Sequence, residues 1–273
     1  MTLIFASSRG TNSPSKNTYS CNRKRLLPPR LARDLRRVII SGGANKLLSR
    51  ENRLLDIYRR LFACYGPQGW WPAETPFEMC VGAILTQATA WRNVEIAVRQ
   101  LRDNNLLSPG SLIAAGEELI AQLIRPSGYY RQKAKRLIAL DRYILSRGSS
   151  MDWLKEEDPQ RLRQELLAVH GIGPETADSI LLYAGGHPVF VVDSYTGRML
   201  LRLGLIQPPP DYHRIQQMFM DQLPRDPALY QEYHALIVAL GKQACNPKPK
   251  CGLCPLGDIC PTHAMPESTF PRG

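Results

Sequence analysis

Four cysteines crowd the carboxyl end of the chain in "CNPKPKCGLCPLGDIC", at Cys245, Cys251, Cys254 and Cys260. Thiolates spaced C-x5-C-x2-C-x5-C in so compact a loop can hold a [4Fe–4S] cluster or a tetrahedral zinc ion. Structural zinc usually takes two C-x2-C pairs set well apart, and this loop has one, so the spacing points to the cluster first. The other cysteines, Cys21, Cys64 and Cys80, are scattered. That pattern does not suit a small secreted disulfide framework and suggests metal chemistry inside a cell. Lys248 and Lys250 lie in the same loop, where they suit either phosphates or a merely solvated basic surface.

A second candidate site is "LLAVHGIGPETADSILLYA", where Gly171-Ile172-Gly173 separates two amphipathic stretches. Two glycines let a turn run close to another molecule. Pro174 suits the first turn of the helix that follows, whose free backbone N–H groups can hold a phosphate. Gly171, Ile172, Gly173 and Thr176 are the expected backbone-binding residues, with Ile172 packed between the helices. Eighteen residues beyond Glu175, Asp193 opens a helix in "HPVFVVDSYTGRML". A carboxylate there caps the helix. Held near the hairpin, it can also stabilise a cationic sugar or orient a water. A third candidate is "GWWPAETPFEMCVGAILTQATAW", which carries Trp70, Trp71 and Trp91, three of the four tryptophans.

These residues need helices to place them. From about Lys46 the apolar residues recur every three or four positions, as in "LLSRENRLLDIYRRLFACYG" and "PALYQEYHALIVALGKQAC". "PFEMCVGAILTQATAWRNVEIAVRQLRDNN" reads as two helices meeting near Thr86–Ala90, with Pro76 in the first turn. Later segments are each broken by Gly or Pro. The one β-like run, "HPVFVV", is too short to form a sheet alone. The fold class is therefore all-α.

The chain has 273 residues, enough for one large domain or two modest ones. Its apolar runs fall far short of the roughly 20 residues of a membrane span, so no membrane partner is expected. The net charge is +11, yet residues 1–60 hold 14 Lys/Arg against 3 Asp/Glu, so the body is neutral overall. Any nucleic-acid surface on the body must then be a local patch. The basic arm, residues 1–45, is read as disordered. It reads as a nucleic-acid tether, an organelle-targeting peptide or an over-long translated start.

Taken together, "LLAVHGIGPETADSILL", "VVDSYTGR" and the terminal cysteines resemble the helix-hairpin-helix DNA glycosylases of the endonuclease III superfamily. The resemblance spans about Lys46–His263. It implies a six-helix barrel over residues 76–190, packed on a second helical domain built from 46–75 and 191–265. That second domain carries the [4Fe–4S] loop, and residues 266–273 form a tail. It implies a cleft between the two domains that takes double-stranded DNA with a damaged base. Asp193 becomes the catalytic carboxylate, and Gln87 in "LTQATAW" the wedge that fills the space of a flipped nucleotide. The family spacing is C-x6-C-x2-C-x5-C, so the first interval here is one residue short.

Bifunctional members carry a lysine two residues after the second hairpin glycine, whose amine forms a Schiff base with the sugar. Here that position is Glu175. The departure argues for a monofunctional glycosylase that leaves an abasic site. "WWP" before the first barrel helix and an aromatic after "TQAT" resemble the 3-methyladenine glycosylase branch. That resemblance implies that Trp70, Trp71 and Trp91 form a pocket for alkylated purines, whose positive charge attracts aromatic faces. An endonuclease III-like glycosylase and lyase for oxidised pyrimidines is an alternative. A catalytically silent DNA-binding iron–sulfur protein is another. The protein is expected to act as a cytoplasmic, nucleoid-associated monomer, or in an organelle if the arm is a targeting peptide.

Overall fold

A computed structural model describes residues 52–148 and 150–265, which form helices and connecting loops with no β-strand among them. The basic arm and the tail lie outside the described residues. The first helix, α1 (Arg53–Tyr65), buries Leu54, Ile57, Tyr58, Leu61 and Phe62. Asn52 caps it, its side-chain oxygen accepting the Leu55 N–H at 3.2 Å. In α2 (Pro76–Leu85) the Thr75 hydroxyl accepts the Glu78 N–H at 3.1 Å, and Pro76 occupies the first turn. A turn over residues 86–90 leads into α3 (Trp91–Asp103), as the spacing of "LTQATAW" requires.

Gly116, at φ +79°, divides α4 (Ser111–Ala115) from α5 (Glu117–Leu123). The next helix, α6 (Tyr130–Ser146), is 17 residues long. Then come α7 (Trp153–Glu156), α8 (Pro159–Ala168) and α9 (Pro174–Ser179), the last continuing through a π turn over Ile180–Ala184. "HPVFVV" runs extended, without a strand partner, into α10 (Ser194–Arg202). The last two helices are α11 (Tyr212–Gln222) and α12 (Pro227–Gln243). The apolar spacing of the sequence does not mark out α11. Three prolines precede it, and its buried apolar face is only Ile215 and Phe219, too narrow a stripe to announce a helix.

Buried apolar side chains gather in two clusters. One draws on α2 through the π turn after α9, from Phe77 to Ala184. The other combines α1 with residues 182–256, and Phe190 belongs to it, stacked on Phe219 at 3.9 Å and 12°. Tyr183 packs against both. Asp178 on α9, fully buried, is the polar tie between them. It accepts two hydrogen bonds from Arg163 of α8 at 2.7 and 3.1 Å. From α11 it accepts the Tyr212 hydroxyl at 2.7 Å and the Gln216 amide at 2.8 Å. The pairing is what makes a buried carboxylate tolerable.

Candidate active site

Asp193 ends the extended run and begins α10. Its Oδ1 accepts the Thr196 N–H at 2.7 Å and the Thr196 hydroxyl at 2.8 Å, a reciprocal cap that fixes the carboxylate. Only 9% of the side chain is exposed, and Oδ2 lies 3.6 Å from His234 Nε2 on α12. That separation is longer than a close hydrogen bond. Burial alone would raise the Asp193 carboxyl. His234 and the two Thr196 bonds outweigh it and hold the group below the usual carboxylate range. His234 Nδ1 is 2.7 Å from the Tyr183 hydroxyl, which also lies 3.3 Å from the Gln231 carbonyl. Tyr183, His234 and Asp193 thus form one line of polar contacts.

Tyr183 carries that line to the tryptophans. Its ring lies 5.5 Å from Trp71. Trp71 meets Trp91 at 5.3 Å and 89°, and Trp70 meets Trp91 at 4.3 Å and 60°. The three indoles named from the sequence are therefore together. They touch one another at the separations of directly paired rings, so no open slot lies between them. The Trp91 N–H donates to Glu95 at 2.8 Å, and the Lys242 ammonium lies 5.8 Å from the Trp70 ring centre. A cavity of about 300 Å³ opens beside Trp70, Trp71, Met79 and Tyr183.

The hairpin has Gly171 at φ +83°, and a Cβ there would collide with the side chain of Arg136 on α6. Glycine is required on both counts. Ile172 is buried in the first cluster, as its position between the helices predicts. A side chain at Gly173 would meet open space, which leaves that edge of the turn approachable. Thr176 faces the other way. It is buried, and its hydroxyl accepts the Gln87 amide at 2.9 Å, so its side chain is not turned outward to meet a phosphate. Gln87 also donates to the Gly171 carbonyl at 3.1 Å and accepts from Arg136. Its polar atoms serve the hairpin rather than standing free.

Glu175 lines the same cavity of about 230 Å³ as Asp193, together with Val192, Arg198, Tyr212 and Ile215. Its side chain reaches solvent through that cleft. The surrounding protein first, and the Asp193 carboxylate second, push its carboxyl up to about 7, against a smaller opposing pull from His234. The tryptophans do not line this cavity. Tyr183 lines theirs, and His234 joins the two.

Cys245, Cys251, Cys254 and Cys260 all lie, partly buried, in the loop after α12. Burial first, then the neighbouring Cys245, Cys260 and Cys251, push the Cys254 thiol up to about 12. Arg198 of α10 donates to the Cys245 carbonyl at 2.8 Å, and Arg202 to the Asn246 carbonyl at 2.8 Å and Cys245 Sγ at 3.3 Å. Among the described residues no three or more His, Cys, Asp or Glu side chains already stand in a metal-holding group. No helix of the described residues is long and apolar enough to cross a membrane.

Sequence reasoning passed over His234, Tyr183 and Lys242. A signal existed for the first: His234 interrupts the buried face of "YHALIVALG", where an imidazole needs a partner. Tyr129 was also missed. It is 69% exposed, at φ +46°, and immediately precedes α6.

Comparison with known proteins agrees with this geometry. Residues 81–225 match the family described as HhH-GPD superfamily base excision DNA repair protein. A putative DNA repair glycosylase of Methanocaldococcus jannaschii is 45% identical over 216 residues, covering 77% of this chain and 98% of that protein. Thymine-DNA glycosylase of Aeropyrum pernix is 30% identical over 77% of this chain and 95% of its own. Among solved structures, H. pylori 3-methyladenine DNA glycosylase bound to 1,N6-ethenoadenine superposes with a TM-score of 0.61 at 31% identity, over 70% of this chain and 97% of that one. A non-covalent endonuclease III–DNA complex shares the fold, with a TM-score of 0.66 at 23% identity over 77% and 94%. A glycine hairpin beside a capped aspartate on an all-helical frame, matched in family over more than half its length, makes this chain a base excision repair DNA glycosylase of the helix-hairpin-helix HhH-GPD superfamily.

Proposed function

We propose that the protein is a monofunctional glycosylase that hydrolyses the N-glycosidic bond of alkylated purines flipped out of duplex DNA. The observation that carries this reading is Glu175. It shares the Asp193 cavity from the hairpin helix, and none of the described residues lining that cavity is a lysine that could form a Schiff base with the sugar. Asp193, held ionised by Thr196 and His234, stabilises the positive sugar as the bond to the base lengthens. An N3- or N7-alkylated purine is already cationic and departs as a neutral molecule, so it needs no strong acid. Trp70, Trp71 and Trp91 supply electron-rich faces for such a cation. Reception of the base then involves displacing one indole from its neighbours, and the 300 Å³ cavity beside Trp71 gives it room.

In this reading the hairpin backbone at Gly171–Gly173 holds a DNA phosphate. Gln87 exchanges its bonds to Gly171, Thr176 and Arg136 for the space left by the extruded nucleotide. The four cysteines are the ligands of a [4Fe–4S] cluster. The Arg198 guanidinium at the Cys245 carbonyl keeps one buried N–H, on Nη2, without an acceptor, which suits a loop that carries negative charge. Bound there, the cluster supplies a thiolate cross-link that fastens the loop. One chain suffices for the whole site.

The test is incubation with duplexes carrying single lesions, followed or not by alkali. Release of 3-methyladenine or 7-methylguanine, with strand breaks only after alkali, is the expected result. Breaks without alkali would point instead to an oxidised-pyrimidine glycosylase with lyase activity. No release from any duplex would leave a silent DNA-binding protein.

A further inference from the structure

Asp193 is poorly placed to take a proton. Its Oδ1 already accepts twice from Thr196, its Oδ2 faces His234, and its carboxyl is held below the usual range. A group so stabilised as an anion is a weak base. Hydrolysis nevertheless requires that the attacking water lose a proton. Within the same cavity stands a second carboxylate with the opposite character. The Glu175 carboxylate has no hydrogen-bond or ion-pair partner among the described residues, and it faces the cavity and solvent together.

Resting on the glycosylase reading above, we infer that Glu175 is the general base of the reaction, holding the attacking water and accepting its proton, while Asp193 stabilises the sugar cation. The bond between C1′ and the base nitrogen breaks with its electron pair leaving on the base, so a cationic purine departs neutral. The water oxygen bonds to C1′, one water proton passes to a Glu175 oxygen, and the carboxylic acid later returns it to solvent. The groups facing Glu175 are Asp193 at the start of α10, His234 from α12, Arg198 from α10 and Tyr212 from α11. The surrounding protein first, then Asp193, against a smaller pull from His234, raise the Glu175 carboxyl to about 7, where a carboxylate is basic enough to accept a proton yet is still substantially ionised. Two carboxylates in one cavity with opposed shifts divide the work between an electrostatic stabiliser and a base.

The experiment measures single-turnover release of 7-methylguanine from duplex DNA between pH 5.5 and 9 for wild type, Glu175→Gln and Glu175→Ala. Wild-type rate should rise through about pH 7 and level off, following ionisation of Glu175. Glu175→Gln should lose about 10²-fold at pH 8, lose the pH step, and bind the duplex as wild type does. Formate should restore part of the rate to Glu175→Ala, since a small carboxylate fits the space vacated in an open cavity. A purely structural role predicts neither the lost step nor the rescue. A Glu175→Gln rate within threefold of wild type, or a step near pH 7 that survives the substitution, would overturn the inference. If wild type releases a different base, the alkylpurine reading fails by itself, and the same comparison on that duplex decides Glu175.

Discussion

At the scale of the residue, Asp193 caps α10 with the same carboxylate that the proposed function makes catalytic. Asparagine caps a helix about as well as aspartate does. Asp193→Asn should therefore keep the Thr196 contacts and the melting temperature, yet lose at least about 10²-fold in base release, because only the negative charge is gone. A rate within tenfold of wild type would remove Asp193 from the chemistry. Glu175 makes a separate prediction about stability. Its carboxyl is raised in the folded protein above its ordinary value of 4.5, so the folded state binds the proton more tightly than the unfolded chain. Folding is then penalised increasingly as pH rises from about 4.5 towards about 7, and fully above it. Glu175→Gln should accordingly melt higher than wild type at pH 8 and equally at pH 4. A gain that is the same at both pH values would deny the shift. For the indoles, Trp91→Ala should cost about 1–3 kcal/mol of stacking, or roughly 5- to 150-fold in release of 3-methyladenine, and less for an uncharged base. Equal losses on charged and neutral bases with a lowered melting point would mean that Trp91 only packs.

Between elements, the site depends on how α9, α10, α11 and α12 are held. His234 and Tyr183 matter because they bind α12 to the π turn after α9 within reach of Asp193. Asp178 matters because it gathers Arg163, Tyr212 and Gln216 from two other helices around one buried carboxylate, and Tyr212 also walls the Glu175–Asp193 cavity. Removing it leaves the Arg163 guanidinium, which is largely buried, without its partner. Asp178→Ala should cost about 3–5 kcal/mol in urea unfolding. The cavity wall should loosen with it, so base release falls even where the protein remains folded. A cost below about 1 kcal/mol would show that the tie between the clusters is elsewhere.

For the whole molecule, two hydrophobic clusters meet along Tyr183, and the cleft residues come from both sides of that meeting. The cysteine loop sits at the far end of α12, pinned to α10 by Arg198 and Arg202. A cluster held by the four cysteines, as proposed, would brace the end of the helix that carries His234. The purified protein should be brown, with broad absorption near roughly 400 nm. Cys254→Ser should bleach it and lower the melting temperature. A colourless wild-type protein holding one zinc would replace the cluster with the other ion that four thiolates can take.

Much of this was legible in the sequence because it depends on local pattern. Apolar spacing announced the helices on either side of Thr86–Ala90, Gly171 and Gly173 announced a turn, and Asp193 before Ser194 announced a helix start. Each is decided within a few residues by backbone sterics and capping. The direction in which a side chain faces is decided by what packs against it. Thr176 turns inward because Gln87, 89 residues away, is there to donate to it. His234 becomes part of the site because the fold sets it 3.6 Å from Asp193, and Tyr183, 51 residues away, holds its other nitrogen. Glu175 is an ordinary glutamate in the sequence and a group poised near neutrality in the structure, because the walls of its cleft and a neighbouring carboxylate arise only from tertiary contact. Residue types and their order named the family; the distances between residues far apart in the chain decided which of them gather around Asp193.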